Sequence, residues 1–143
     1  MNPNIVNTQS LKETQEFASN FAKNLKAGDI LCLYGDLGSG KTSFVQGLAK
    51  GLGIEGRIIS PTFIIARQYE MGNLNFYHID LYRTQTMHDL YSIGLDEILE
   101  NKNNIVAIEW SEKLLELLPK KRIDLKFEYI DQDKRKIIIE TYE

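Results

Sequence analysis

Eight consecutive residues, Gly35-Asp36-Leu37-Gly38-Ser39-Gly40-Lys41-Thr42, constrain this chain more than any other feature. They match G-x-x-x-x-G-K-[ST], the Walker A pattern, which works only where a strand feeds a glycine-rich loop and the loop opens a helix. Both flanks fit. Ile30 to Tyr34 (ILCLY) is a short continuous apolar run, the pattern of a strand covered on both faces. From Lys41 to about Leu52, the apolar Phe44, Val45, Leu48, Ala49 and Leu52 fall at helical spacing. Chance alone gives the motif in roughly half a percent of chains this long. Glycines let the backbone turn N–H groups around a phosphate, and the helix N-terminus adds free donors and a positive dipole end. Lys41 would reach the β- and γ-phosphates, and the Thr42 hydroxyl would ligate Mg²⁺.

The rest of the chain reads as an alternation of helix and strand. Ser10 to Lys26 predicts an amphipathic helix, with Ser10 and Glu13 spaced as a capping box. Its apolar face is Leu11, Thr14, Phe17, Ala18, Phe21, Ala22 and Leu25, and Gly28 sits where a C′ residue is expected. Gly51 and Gly53 mark the end of the second helix. Phe63 to Glu70 and Leu74 to Asp80 predict a hairpin around the turn at 71–73. Thr86 to Glu100 is helical in pattern, with a break at Gly94. Ile105 to Trp110 predicts another buried strand, followed by a helix over Ser111 to Leu118 with Ser111 as N-cap. Ile123 to Ile130 and Arg135 to Tyr142 predict a final hairpin. The expected fold is an α/β P-loop NTPase three-layer sandwich with a mixed parallel/antiparallel central sheet, in one domain over residues 1–143.

A phosphate loop needs a carboxylate to hold the metal and orient water. Two candidates end apolar runs: Asp80 in LNFYHID and Glu109 in NIVAIE. Strand ends beside a phosphate loop are where such groups converge in α/β sheets. Residue pattern alone leaves open which acid ligates the metal, and a strand-end acid can also cap the next turn.

Missing features narrow the class. The nearest string to the guanine-reading N-K-x-D is Asn101-Lys102-Asn103-Asn104, and LSGGQ is absent. A formal net charge of −3 argues against a basic nucleic-acid binder. The single cysteine, Cys32, lies in the apolar ILCLY run and predicts a buried thiol in a reducing compartment. No apolar run approaches the ~20 residues that span a bilayer. The polar MNPNIVNTQS start lacks a signal-peptide core, so the expected location is cytoplasmic with no membrane partner. With 143 residues, little chain remains for a lid or an acceptor-binding domain, so those parts are expected on other proteins.

Ser60-Pro61-Thr62-Phe63, His78-Ile79-Asp80-Leu81-Tyr82-Arg83 and Ile108-Glu109-Trp110-Ser111-Glu112 follow the loop in that order. Together the four strings resemble the TsaE (YjeE) family, the bacterial ATPase component of tRNA threonylcarbamoyladenosine synthesis, over about Leu33 to Leu118. The resemblance implies an ATP- and Mg²⁺-dependent ATPase, weak alone, that supports turnover of a complex modifying adenosine 37 of tRNAs reading ANN codons. Its implied partners are the threonylcarbamoyl-transferring subunit and that subunit's inactive paralogue, with tRNA touched only indirectly or weakly. It also implies that Gly35, Asp36, Leu37, Gly38, Ser39, Gly40, Lys41, Thr42, Ser43 and Thr62 bind the nucleotide. Lys41, Asp80 and Glu109 become the catalytic set. Thr42 and Glu109 hold Mg²⁺, and Asp80, a third candidate metal ligand, orients or deprotonates water. Ser60-Pro61-Thr62 becomes a switch-like segment, and Trp110 a partner surface or site wall.

Other residues read more plainly. His78 is expected to be a satisfied structural histidine, and Arg83 either a phosphate or tRNA contact or a surface ion pair. Residues 119–143 carry seven basic and six acidic groups. The basic clusters Lys120-Lys121-Arg122 and Lys134-Arg135-Lys136 are expected to be solvated strand ends. Competing readings are a small-molecule kinase and an ATP-controlled binding module in which hydrolysis is dispensable.

Overall fold

In the computed structural model, residues 3–55 and 66–143 are described. The expectations placed on Ser60, Pro61, Thr62 and Phe63 lie outside them. Strands β1 (Asn4–Thr8), β2 (Ile30–Tyr34), β3 (Ala66–Met71), β4 (Leu74–Asp80), β5 (Asn104–Glu109), β6 (Arg122–Tyr129) and β7 (Arg135–Tyr142) form one sheet in the order β1-β7-β6-β2-β5-β4-β3. β2 runs parallel to both neighbours, β5 and β6, and β4 runs parallel to β5. The hairpins β3–β4 and β6–β7 are antiparallel, as is β1 against β7, so the sheet is mixed as expected.

Helices α1 (Leu11–Ala22) and α2 (Lys41–Gly51) cover one face. The other face carries α3 (Met87–Ser92), α4 (Leu95–Glu100) and a 3₁₀ helix over Ser111–Leu117. β2 is buried on both sides. Leu31 and Leu33 face the α1–α2 layer, while Ile30 and Cys32 face the opposite one. Phe44 of α2 is fully buried and packs edge-on to Phe127 of β6, with ring centroids 5.4 Å apart. Burying a ring of that size stabilises by roughly 2–3 kcal/mol, so the helix that follows the phosphate loop is fixed directly to the C-terminal hairpin. α1 and α2 touch backbone to backbone. A Cβ on Gly47 would lie 2.3 Å from the Gln15 carbonyl oxygen, and one on Gly51 equally near that of Ser19.

Several boundaries differ from expectation. α1 stops at Ala22, and Lys23, Asn24 and Leu25 donate to carbonyls three residues back, which tightens the last turn. Gly28 is therefore not its C′ residue; with φ +92° it turns the chain into β2 and donates to the Asn104 carbonyl. Leu11 is exposed rather than part of the buried stripe. Gly51 and Gly53 mark the end of α2 as expected: Gly51 is its last residue, packed against α1, and Gly53 beyond the Leu52 cap supplies the left-handed stop. Thr86 and Asp89 form a full capping box on α3, and Gly94 at φ +72° separates α3 from α4 as expected. β1 was not expected. It is an edge strand with only Thr8 buried, so its outward Asn4 and Asn7 mask the pattern. Among the described residues, no helix is long and apolar enough to cross a membrane.

Candidate functional site

The phosphate loop leaves the C-terminal end of β2, which lies between the C-terminal end of β5 and strand β6. Its glycines have physical reasons. Gly35 adopts φ +146°, and a Cβ there would lie 2.6 Å from Ser39 Oγ and 2.8 Å from the Phe127 carbonyl oxygen. Gly38 (φ +79°) and Gly40 (φ +106°) hold left-handed conformations on either side of Ser39. Gly40 is the N-cap of α2 and offers no side-chain cap, so the first N–H groups of that helix have no partner within it.

Side chains from three neighbouring elements meet there. β5 ends on Glu109, whose register partners are Leu33 of β2 and Asp80 of β4. The Thr42 hydroxyl donates to Glu109 Oε1 at 3.2 Å and approaches Oε2 at 3.5 Å. Nε2 of the fully buried His78 is 2.5 Å from Glu109 Oε2. Asp80 accepts from the Tyr82 N–H at 3.0 Å. Burial pushes its carboxyl above the usual range, and Glu109 adds to the rise against the opposing Tyr82 hydrogen bond. Lys41 donates to the Gly35 carbonyl, and its ammonium lies 3.7 Å from the centre of the Trp110 ring. Burial lowers the Lys41 pKa, while Glu109, Glu112, Asp80 and Asp36 oppose that shift. Such a buried ammonium gains a partner when a phosphate arrives.

Lys41, Thr42, Asp80, Glu109 and Trp110 line a cleft of about 410 Å³ that also includes Leu37, Ser43, Tyr82, Arg83 and Arg135, while His78 lies buried behind Glu109. A larger and more open groove, about 1100 Å³, runs between α1 and α2 past Gln15, Ser19 and Gly47. The groove lacks the converging acids and the phosphate loop that the smaller cleft brings together.

The residues fit a nucleotide and Mg²⁺. Ser39 Oγ is buried with no hydrogen-bond partner among the described residues, an orphan inside the loop. No cluster of three or more His, Cys, Asp or Glu suited to a metal occurs among the described residues. Mg²⁺ in nucleotide sites does not require one, since it binds through one or two carboxylates or hydroxyls plus phosphates and water. Thr42 and Glu109 supply such a pair.

The structure thus brings together Lys41, Thr42, Asp80 and Glu109, and Leu37, Gly38, Gly40 and Ser43 line the same cleft, whereas Gly35, Asp36 and Ser39 belong to the loop but not to that lining. Thr62 falls outside the described residues. Trp110 lines the cleft, under Lys41 and 5.1 Å from the Tyr82 ring. It follows Glu109 in a left-handed conformation (φ +60°) and is itself the cap of the 3₁₀ helix. Ser111 is therefore not the N-cap; it lies inside that helix, and its hydroxyl donates to the Ile108 carbonyl.

Two residues are tied to the site more closely than their sequence context suggests. His78 was expected to be structural, and it is buried, but its partner is the candidate metal ligand. Arg135 was expected on a solvated strand end. It is 5% exposed and donates to the Gly38 carbonyl at 3.0 Å. Alternation along LNFYHID places His78 on the same face as Asp80, a usable signal for the first. Only sheet order could reveal the second.

The chain is similar to known proteins along most of its length. The family description "Threonylcarbamoyl adenosine biosynthesis protein TsaE" matches residues 8–137. The chain is 42% identical over 127 residues to a Rickettsia typhi protein named tRNA threonylcarbamoyladenosine biosynthesis protein TsaE, covering 88% of this chain and 87% of that one. A Bacillus subtilis protein of the same name is 38% identical over 130 residues, covering 91% and 80%. The crystal structure of Bacillus subtilis YdiB superposes with a TM-score of 0.82 at 33% identity, covering 99% of this chain and 86% of that one.

Proposed function

The chain belongs to the TsaE family, and on that premise we propose that the cleft at the ends of β2, β4 and β5 is its Mg²⁺-dependent ATPase site. The protein is the ATPase component of the machinery that makes N6-threonylcarbamoyladenosine in tRNA. It hydrolyses ATP weakly alone and depends on its partners. Its family uses ATP and Mg²⁺, and the protein takes part in a tRNA-modifying complex. The residue roles and the partners' identities are the proposal.

The observation that carries it is the Thr42–Glu109 hydrogen bond beside the phosphate loop. It joins the helix after the loop to the end of the neighbouring strand and puts one hydroxyl and one carboxylate where a hard cation binds. Mg²⁺, when bound with the nucleotide, neutralises charge on the β- and γ-phosphates. Lys41 leaves the Gly35 carbonyl for the β- and γ-phosphate oxygens. The N–H groups from Gly38 onward surround the phosphate. Thr42 and Glu109 would hold the cation. Asp80, raised by burial, accepts a hydrogen bond from the attacking water and then its proton, a role favoured when a base's pKa moves towards working pH.

Catalytic cations supplied in trans raise such rates by ~10³–10⁵. The partners proposed to act here are the threonylcarbamoyl-transferring subunit and its inactive paralogue. Phosphate release is measured for the protein alone and with both partners, and modified adenosine 37 is measured by mass spectrometry in cells depleted of this protein. Faster hydrolysis with partners and loss of the modified base are expected. Equal rates with and without partners, or an unchanged modification level, would overturn the proposal.

A further inference from the structure

The C-terminal hairpin forms the outer wall of the phosphate loop, and its first residue on β7 reaches into that loop. Arg135 is buried, and every hydrogen bond it makes among the described residues goes to a backbone carbonyl. Nη1 holds the turn between β6 and β7 through Asp131, Gln132 and Lys134, at 2.7, 3.3 and 2.9 Å. Nη2 crosses to the Gly38 carbonyl at 3.0 Å. The guanidinium also lies 4.6 Å from the Tyr129 ring centre, and the arginine stem passes beside Gly40.

Gly38 C=O and Ser39 N–H belong to one peptide unit. Arg135 holds its carbonyl, while its N–H donates to the Asp36 carbonyl at 3.1 Å. The glycines flanking Ser39 both sit at positive φ, where an unrestrained peptide rotates easily. The planar fork of an arginine reaches several fixed acceptors at once, which an ammonium cannot do.

The geometry points to Arg135 as a positioning residue for nucleotide binding, acting through the Gly38 carbonyl to hold the phosphate loop in its binding shape. The inference rests on the nucleotide-site assignment above. It gives the hairpin a function: the turn at 131–134 and the loop at 35–42 are tied by one side chain. A change in the turn is then felt at the phosphates.

The test is the affinity of Arg135→Lys and Arg135→Ala for ATP and for ADP by calorimetry, with steady-state KM and kcat and the melting temperature of the nucleotide-free protein. Lysine keeps the charge and stem, so it covers the case in which the alanine variant fails to fold. Losing the fork is expected to raise Kd for both nucleotides by about tenfold or more, the scale of one hydrogen bond to a charged group. KM should rise with it, by more than kcat falls. A lowered melting temperature with unchanged Kd and KM would overturn the inference and leave Arg135 a packing residue. Wild-type affinity in Arg135→Lys would also overturn it, by showing that charge alone suffices. Neither result would touch the site assignment, which ATP binding by the wild-type protein tests separately.

Discussion

Nε2 of His78 lies 2.5 Å from Oε2 of Glu109, with the histidine fully enclosed and the glutamate nearly so. The carboxylate accepts here and from Thr42, so its orientation is set from both sides before any cation arrives. His78→Ala removes the enclosed donor and leaves a buried acid with a neighbouring void. Destabilisation of about 3 kcal/mol is expected from breaking such a buried pair, read as a shift in the urea midpoint. His78→Gln, which retains a donor, should lose less. Equal losses for the two variants would mean that the ring packs without holding Glu109.

Asp80 and Glu109 are register partners at the ends of adjacent strands, yet their partners differ. Glu109 is committed to Thr42 and His78, whereas among the described residues the Asp80 side chain accepts from the Tyr82 N–H alone. Asp80→Asn keeps the shape and removes the proposed base. Hydrolysis in the presence of partners should fall by about 10² or more, the usual range for loss of a general base, with ATP affinity retained. Rates within a few-fold of wild type would remove Asp80 from the reaction.

Lys41 sits over the protein's one tryptophan, 3.7 Å from the ring centre. A phosphate on the loop draws the ammonium away, so the indole's surroundings change on binding. A saturable change in Trp110 emission is expected when ATP is titrated, with none in Lys41→Ala. A flat titration under conditions where calorimetry shows binding would mean that Lys41 does not move.

Gly47 faces the α1 backbone, where a Cβ would lie 2.3 Å from the Gln15 carbonyl oxygen and 2.7 Å from its Cα. Backbone atoms cannot rotate aside as a side chain can, so Gly47→Ala must separate the helices. A loss of about 2 kcal/mol or more is expected, measured by urea denaturation. Wild-type stability would show that the helices can part at little cost.

Much of this layout was legible from residue order, for particular reasons. The Walker A string fixed a strand, a loop and a helix at once, and ILCLY identified its strand as buried on both faces. Asp80 and Glu109 were legible because each closes an apolar run. The neighbours across the sheet were not. That β6 lies beside β2, and so brings Phe127 against Gly35 and Arg135 against Gly38, depends on pairing between residues some ninety positions apart. No local pattern carries that pairing, and Arg135 within Lys134-Arg135-Lys136 looks like any solvated basic cluster. β1 was missed because an edge strand needs little apolar surface to hold its ladder.

Cys32 offers a test of the core beneath the site. It is fully enclosed on β2, and burial raises its thiol pKa from 9.0 to about 12. A raised folded pKa means that the folded chain keeps its proton where the unfolded chain releases it. The stability this group contributes is therefore complete below pH 9 and is lost as pH climbs towards 12. A gap of three units corresponds to at most about 4 kcal/mol across that window. Tyr34 on the same strand is also pushed up, chiefly by burial, and adds a loss of the same sign above its ordinary 10.0. Urea denaturation between pH 8 and pH 11 should show falling stability in the wild type and a shallower fall in Cys32→Ala, whatever the cost of the lost packing. Identical slopes would mean that the thiol ionises in the folded protein as easily as in the unfolded one, and that the strand carrying the phosphate loop is open to water.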